Sequence, residues 1–200
     1  MPILENAKQA LERITGLARP NPRDLPHLAQ TCTANTYTFD DDGQTPNNPA
    51  FPLIHYLSAV SLPDEFDPAA VIEDLFAANG WGDAWRDGIY DFLHFHTHAH
   101  EVLGIARGHG SVQFGGARGR TLHIKAGDVV VLPAGTGHQR LSASEDFLVV
   151  GAYPDGSDYD EPKPWEVVHD DAVAAIAEVG APDSDPVYGK DGPVCRLWVR

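Results

Sequence analysis

The sequence predicts an all-β fold of the jelly-roll type with helices near both ends of the chain. Short β-rich runs follow one another from Tyr90 to Tyr153, and glycine-containing turns separate most of them. Evenly spaced short strands of this kind are typical of antiparallel sandwiches and barrels. Their number suits a jelly roll if further strands come from residues 35–60. The 200 residues fit one decorated domain more easily than two domains.

Seven runs between Tyr90 and Tyr153 are predicted to be strands. They are IYDFLHF, EVLGIA, SVQFG, TLHIK, DVVVLP, HQRLS and DFLVVGAY. In each of them β-branched or aromatic residues are frequent, and a turn-forming residue lies close by. A final strand, VCRLWV, is predicted near the end of the chain.

Helices are predicted on both sides of this β-rich region. Apolar residues at helical spacing indicate a helix over residues 3–18, which the following prolines end. A second helix begins after the candidate N-cap Asp67 and ends at Asn79-Gly80, and the stretch GWGDAWRDG after it is predicted to be a loop. A short helix is predicted near Asp170–Val179.

These elements divide the chain into three parts. Residues 1–34 are predicted to be an N-terminal helical extension, and residues 35–160 a β-barrel. Residues 161–200 are predicted to supply a helix and a strand that pack on the barrel.

The composition excludes several classes of function. The chain has 14 basic and 29 acidic residues and a formal net charge of −15. Neither nucleic acid nor an anionic membrane is therefore an expected partner, because both are bound through clustered lysine and arginine. The first residues do not have the pattern of a signal peptide. The two cysteines, Cys32 and Cys195, are expected to be reduced thiols in the cytoplasm.

The stretch HFHTHAHE, residues 94–101, carries four histidines at alternate positions and then a glutamate. Imidazole nitrogens and carboxylate oxygens are common ligands of divalent transition metals. In a strand, His94 and His96 would project from the same face. Glu101 has the opposite parity, so a turn through residues 97–100 is needed before it can face the same point.

Two other histidines in this stretch have open roles. If the strand continued without a turn, all four histidines would share one face, and His100 could replace Glu101 or His94 as a ligand. With the turn, His98 is expected to be a solvated residue at the rim. His100 would then be either a rim residue or a group that supports the ligands and transfers protons.

The stretch GDVVVLPAGTGHQRL contributes a further histidine. A turn at Pro133-Ala134-Gly135 follows the strand, and His138 opens the next one. Gly135 and Gly137 permit the backbone angles that return His138 towards the barrel. A site with three histidines, one carboxylate and open positions is thus predicted from His94, His96, Glu101 and His138.

The spacing of these residues resembles the two motifs of the cupin family. The first runs from Gly88 to Gly108, and the second runs from Gly127 through Pro133, Gly135 and His138, with Ser142 in place of a family asparagine. Further segments resemble the YjlB-like branch of the cupins over residues 35–198. The resemblance implies a small jelly-roll barrel that pairs as a homodimer, through the N-terminal helix or the edge near residues 35–60. It also implies a metal bound inside by His94, His96, Glu101 and His138.

A small metalloenzyme is the leading functional hypothesis. It would be an oxidoreductase of the dioxygenase type, or an isomerase, that acts on a small oxygen-bearing organic molecule. One divalent transition metal per chain is expected, with iron, manganese, nickel, copper and zinc all compatible with the ligands. Glu101 is the candidate catalytic residue: a ligand at rest, and a base if substrate displaces it. The alternative is a non-catalytic module in which the metal staples the barrel or helps hold a small ligand.

Several aromatic residues and one arginine near the motifs have two interpretations. Tyr90, Phe92, Trp81 and Trp85 could line a pocket, although packing in the core is the commoner role of such residues. Arg140 shares the strand face of His138, and it could pair with an anionic substrate or with a surface acid.

Overall fold

A computed structural model describes residues 17–155 and 157–199 of the protein. The helix predicted over residues 3–18 therefore lies almost entirely outside the described residues. In the part of the chain that is described, no helix combines the length and the hydrophobicity that a membrane span requires.

Nine strands and four helices are formed by the described residues. The strands are β1 (Ala34–Tyr37), β2 (Leu53–Tyr56), β3 (Trp81–Asp87), β4 (Glu101–Arg107), β5 (His109–Phe114), β6 (Arg120–Lys125), β7 (Val129–Leu132), β8 (His138–Ala143) and β9 (Leu148–Pro154). The helices are α1 (Leu25–Leu28), α2 (Pro68–Ala78), α3 (His169–Glu178) and α4 (Pro193–Leu197).

The strands make two antiparallel sheets. The larger has six strands in the order β1-β2-β7-β4-β9-β3, and the smaller has three in the order β6-β5-β8. Crossovers between distant strands are typical of a jelly roll, which confirms the predicted fold class. Over residues 17–155 and 157–199 the two sheets are not joined by strand pairing into a closed barrel, so the architecture is a sandwich.

The four central strands of the larger sheet are buried on both faces. Its inner face packs on the smaller sheet through residues such as Leu103, Ile105 and Val130. Its outer face packs on α2 and the C-terminal residues through a second cluster that includes Val102 and Val131. This double burial explains why β4 and β7 are nearly continuous apolar runs rather than alternating ones.

Helix α2 fits the outer face closely. The Asp67 side chain caps it by accepting a hydrogen bond from the backbone N–H of Ala69 at 3.1 Å, as the sequence predicted. Gly104 of β4 lies directly beneath the helix. A β-carbon there would come within 2.5 Å of Ile72 and 2.9 Å of Phe76. Because Gly104 has no side chain, helix α2 can approach the larger sheet this closely.

The local structure differs from the prediction in three places. The stretch GWGDAWRDG is strand β3 rather than a loop, and its bulge between Gly82 and Trp85 hides the alternation. The stretch IYDFLHF is not a strand, because a bend at residues 91–92 leaves only an isolated bridge at His94. The stretch VCRLWV lies mostly in helix α4 rather than in a strand. Val194 and Trp198, four residues apart, are both buried there.

Candidate metal centre

The predicted ligand residues meet between the two sheets. Glu101 opens β4 of the larger sheet, and His138 opens β8 of the smaller one. His94 and His138 are joined by a pair of backbone hydrogen bonds of 3.2 and 2.9 Å, which places the segment of His94 and His96 beside β8. All four side chains are at most 4% exposed. The structure therefore brings together every predicted ligand.

Glu101 faces inward because of the parity of β4 and the turn before it. It shares a strand face with Leu103 and Ile105, which belong to the core between the sheets. The chain bends at residues 97–98, as predicted. Asp160 holds this bend by accepting hydrogen bonds from the backbone N–H of Thr97 at 2.7 Å and from its hydroxyl at 2.6 Å.

The turn before β8 positions His138. Gly135 adopts φ +88°, and its backbone N–H donates to the carbonyl of His96 at 2.7 Å. A β-carbon at Gly135 would lie 2.6 Å from the carbonyl oxygen of Asn47. Both the backbone angle and the space at this position therefore require glycine.

The distances within the cluster suit a single cation. One ring nitrogen of each of His94, His96 and His138 lies within 4.8 Å of the others. Glu101 Oε2 is 3.2 Å from His96 Nε2 and 3.3 Å from His138 Nε2. Ligands about 2.1 Å from one ion lie roughly 3.0–3.4 Å apart when the angle between them is octahedral or tetrahedral.

The three histidines of the cluster are oriented by backbone carbonyls. Nδ1 of His94 is 3.3 Å from the carbonyl oxygen of Phe92, and Nδ1 of His138 is 3.1 Å from that of Thr136. Nδ1 of His96 is hydrogen-bonded to the carbonyl of Asp160. Since a carbonyl only accepts, each Nδ1 carries the proton and donates it. The lone pair of each neutral ring is then on Nε2.

The charges in the cluster also suit a cation. Burial and the neighbouring His138 lower the pKa of His94 to about 3, so this ring is neutral. Burial would raise the pKa of Glu101, but His96 and His138 outweigh it and hold that pKa well below its ordinary value. Burial likewise opposes charge on His96, yet the carboxylate of Glu101 raises its pKa. The cluster thus contains a buried carboxylate that attracts a cation or a proton.

His98 and His100 do not join the cluster. The His98 side chain is 62% exposed, which agrees with its expected place at the rim. His100 is buried rather than at the rim, with Nδ1 accepting from the backbone N–H of Ala134 and Nε2 donating to the carbonyl of Gly180, both at 2.9 Å. Its ring also lies against Trp198. With both nitrogens engaged, His100 has no lone pair to offer a metal.

A hydrogen-bond chain reaches Oε1 of Glu101, the carboxylate oxygen that is not paired with His96 and His138. The indole N–H of Trp85 donates to the hydroxyl of Tyr153 at 3.2 Å, and this hydroxyl donates to Glu101 Oε1 at 3.3 Å. Tyr153 was not among the predicted site residues. Its inward parity with Val149 on β9 was the available signal, but pairing with Glu101 across 52 residues was not visible.

Residues 157–162 form a segment over the centre that the sequence did not indicate. The ring of Tyr159 stacks on that of Tyr153, with centroids 4.1 Å apart. The carbonyl of Asp160 binds His96, and the carbonyl of Pro162 accepts from the backbone N–H of Phe95 at 3.2 Å. The segment is thus fastened to His96 and to the residues on either side of it, Phe95 and Thr97.

A cavity of about 320 Å³ opens onto the centre. Its walls include Trp85, Tyr90, Tyr159 and Glu161, and His94, Glu101 and His138 lie at its base. Trp81, in contrast, is fully buried in the core. Arg140 lines an adjoining cavity and donates to the carbonyl of Ile89 at 2.8 Å. The pocket role predicted as one alternative therefore holds for Tyr90 and Trp85.

A larger cavity, of about 710 Å³, lies elsewhere on the described part of the molecule. It is lined by residues of α1, the end of α2 and the C-terminal region, and it includes Cys32 and Tyr188. The metal-ligating cluster found among residues 17–155 and 157–199 is not part of its wall. Size alone thus does not identify the functional site.

The chain has distant similarity to several solved structures. No protein-family model matches the chain. Among solved structures, oxalate decarboxylase from Lactobacillus farciminis is 19% identical with a TM-score of 0.35, over 64% of this chain and 33% of that one. Acireductone dioxygenase from Bacillus anthracis, with cadmium in its active centre, is 20% identical with a TM-score of 0.32, over 61% of this chain and 77% of that one. Procruciferin from Brassica napus is 12% identical with a TM-score of 0.34, over 69% of this chain and 30% of that one.

Two antiparallel sheets that enclose three histidines and a glutamate, supplied by two successive motifs, define a cupin. The Bacillus subtilis protein named "Uncharacterized protein YjlB" is 39% identical over 165 residues, which are 82% of this chain and 96% of that protein. The chain belongs to the YjlB-like branch of the cupins.

Proposed function

We propose that the protein binds one divalent transition metal through His94, His96, Glu101 and His138, and that this centre makes it a small metalloenzyme. The observation that carries the proposal is the shared orientation of the three imidazoles. Each Nδ1 is held by a backbone carbonyl, which leaves Nε2 for a metal. A buried carboxylate next to two of them supplies the negative charge.

The donor set fits iron, manganese, nickel, copper or zinc, since imidazole and carboxylate ligands suit all of these ions. A bound ion of this kind supplies Lewis-acid or redox chemistry to an oxygen-bearing substrate. The chain provides the rest. The aromatic walls at Tyr90 and Tyr159 hold a small molecule, and the segment of residues 157–162 limits the access of water. A reaction of the dioxygenase or isomerase type suits these features.

Glu101 is proposed as the catalytic residue. Its second carboxylate oxygen, Oε1, accepts a hydrogen bond from the hydroxyl of Tyr153 at 3.3 Å. A carboxylate whose oxygens can change partners can dissociate from the metal. It can then act as a base and accept a proton from the substrate. A Glu101→Gln variant that keeps both its metal and full turnover would contradict this role.

A second candidate function is supported by the placement of the ligands. Glu101 belongs to the six-stranded sheet and His138 to the three-stranded one, so an ion held by both would tie the sheets together. In that case the metal has a structural role, and the cavity binds a small ligand without a reaction.

Metal binding is tested first. Protein purified without an affinity metal is expected to contain about one ion per chain by elemental analysis. His138→Ala is expected to weaken metal binding by roughly 10-fold or more, since it removes a ligand. His123→Ala is the matched control, because His123 is an exposed histidine bonded to Ser111. Equal metal affinity in the two variants would contradict the proposed centre.

The metalloenzyme and the structural role differ in whether a ligand position is free. In the enzyme, azide added to the copper form is expected to change the visible spectrum, because an open position admits a small anion. A purely structural site would leave the spectrum unchanged. A screen of oxygen-bearing small molecules under air and under argon then identifies the reaction.

Two further properties belong to the proposal. We expect a homodimer that pairs through β1, because this strand is one edge of the larger sheet and is partly exposed. Sedimentation measurements test the dimer. We also expect the cytoplasm as the location, since Cys32 and Cys195 are both free thiols. Localisation of a tagged protein tests this expectation.

A further inference from the structure

The cavity above the centre has an acidic wall that the metal does not require. Glu161 lies in this wall, and its carboxylate accepts a hydrogen bond from the hydroxyl of Tyr90 at 3.4 Å. Asp87 lies in the same wall and caps the neighbouring N–H of Gly88 at 2.7 Å. Two carboxylates thus face a small cavity in addition to Glu101 at its base.

The cationic side chains nearby are occupied. Arg86 lines the cavity, but its guanidinium binds Glu73 through two N–H groups, at 2.5 and 2.7 Å, and Asp67 through a third at 2.6 Å. Lys163 follows Glu161 closely in sequence, yet its ammonium group pairs with Glu166 at 2.9 Å. Neither of these two cations pairs with the carboxylate of Glu161.

The position of Glu161 is fixed by its two neighbours. Asp160 is bound to Thr97 through its carboxylate and to His96 through its carbonyl. Pro162 accepts a hydrogen bond from Phe95. Because the backbone is held on both sides, Glu161 stays beside the cavity.

The remaining wall suits a flat or apolar body. Tyr90 and Tyr159 contribute aromatic rings, and Trp85 and Leu103 contribute apolar surface. The volume of about 320 Å³ is at the lower end of the range for small-ligand sites. Aromatic faces and a carboxylate together attract an ammonium group, through the ring quadrupole and through the opposite charge.

We propose that Glu161 is a specificity-determining residue, and that the cavity selects a small molecule with an oxygen donor at one end and an ammonium group at the other. This inference rests on the proposed metal centre, which would take the oxygen end. The negative wall disfavours an anionic group at this end of the ligand, because like charges repel.

The test uses three probes of one shape and different charge. They are tyramine, neutral 4-ethylphenol and anionic 4-hydroxyphenylacetate, and their dissociation constants are measured by ligand-observed NMR at low salt. Tyramine is expected to bind about three- to tenfold more tightly than 4-ethylphenol, as for a partly exposed ion pair, and 4-hydroxyphenylacetate is expected to bind most weakly. Added salt should reduce the difference.

Two variants test whether Glu161 causes the preference for tyramine. Glu161→Gln is expected to abolish the preference for tyramine over 4-ethylphenol while the affinity for 4-ethylphenol stays within about twofold. Asp158→Asn removes the same charge from the same segment, outside the residues that line the cavity, and should keep the preference. If tyramine binds no more tightly than 4-hydroxyphenylacetate, or if Glu161→Gln keeps the preference, the inference is overturned.

Metal content is measured on the same samples, which separates this inference from the proposed function. A metal-free protein that still prefers tyramine counts against the metal centre and supports the role of Glu161. A metal-loaded protein without a charge preference supports the metal centre and overturns the role of Glu161.

Discussion

At the scale of single residues, the centre depends on groups that fix the ligands as much as on the ligands themselves. Tyr153 binds the oxygen of Glu101 that faces away from His96 and His138. The carboxylate is thereby turned so that one oxygen, Oε2, points into the cluster. The indole of Trp85 orients Tyr153 in turn. Such outer partners commonly alter metal affinity when they are removed.

Tyr153→Phe tests this restraint. We expect the variant to lose about 1–3 kcal/mol of stability, since the hydrogen bonds to Trp85 and to Glu101 are both removed. Its metal affinity should fall by roughly 10-fold, and the electron paramagnetic resonance spectrum of the copper form should change. Tyr159→Phe is the control, because it keeps the ring that stacks on Tyr153. An unchanged spectrum in Tyr153→Phe would show that the hydroxyl does not orient Glu101.

The meeting of the four proposed ligands, His94, His96, Glu101 and His138, could be predicted from the spacing of the two motifs and from the turn before Glu101. The role of His100 could not. Its two nitrogens bind backbone groups of Ala134 and Gly180, 34 and 80 residues away in the chain. Contacts with residues so far away in the chain leave no local pattern, so His100 and the three other histidines of this stretch look alike in sequence.

At the scale of elements, the secondary structure was predicted correctly where a strand is buried on both faces. The prediction failed where a short apolar run is compatible with either a strand or a helix. The stretch DVVVLP, which contains β7, could form only a central strand or a buried helix, and its length favoured the strand. The stretch VCRLWV has the same length, but Pro193 precedes it and suits the first turn of a helix. Edge strand β3 was missed because its bulge between Gly82 and Trp85 interrupts the alternation of apolar and polar residues.

Contact between α2 and the larger sheet gives a prediction at this scale. Gly104→Ala is expected to destabilise the protein by about 1–3 kcal/mol, because its β-carbon would overlap Ile72 and Phe76. The control is Gly88→Ala, at a motif glycine with no atom within 4 Å of the added carbon. That variant should stay within about 0.5 kcal/mol of the wild type. Chemical denaturation measures both, and equal losses would show that Gly104 does not set the packing.

At the scale of the whole molecule, the centre lies where the two sheets meet. The smaller sheet contributes His138, and the larger contributes Glu101. An ion bound to both would stabilise the folded chain by about 2.7 kcal/mol when free metal is about 100 times its dissociation constant. That stabilisation acts between the sheets rather than within one of them.

Hydrogen exchange can locate this effect. Chelation is expected to speed exchange in β8, an edge strand held by β5 on one side. Exchange in β9 should change less, because this strand lies between β4 and β3. Addition of zinc should restore the slow exchange of β8. A uniform change across both sheets would mean that the metal stabilises the protein globally and does not act at the junction.

The segment of residues 157–162 connects two binding events. Its Asp160 carbonyl steers the imidazole of His96, and the adjacent Glu161 faces the cavity. Thermodynamic linkage is reciprocal, so a small molecule that tightens this segment must raise the affinity for metal by the factor by which metal raises the affinity for the small molecule. A titration with metal in the presence of the small molecule, or with the small molecule in the presence of metal, would measure the same coupling free energy.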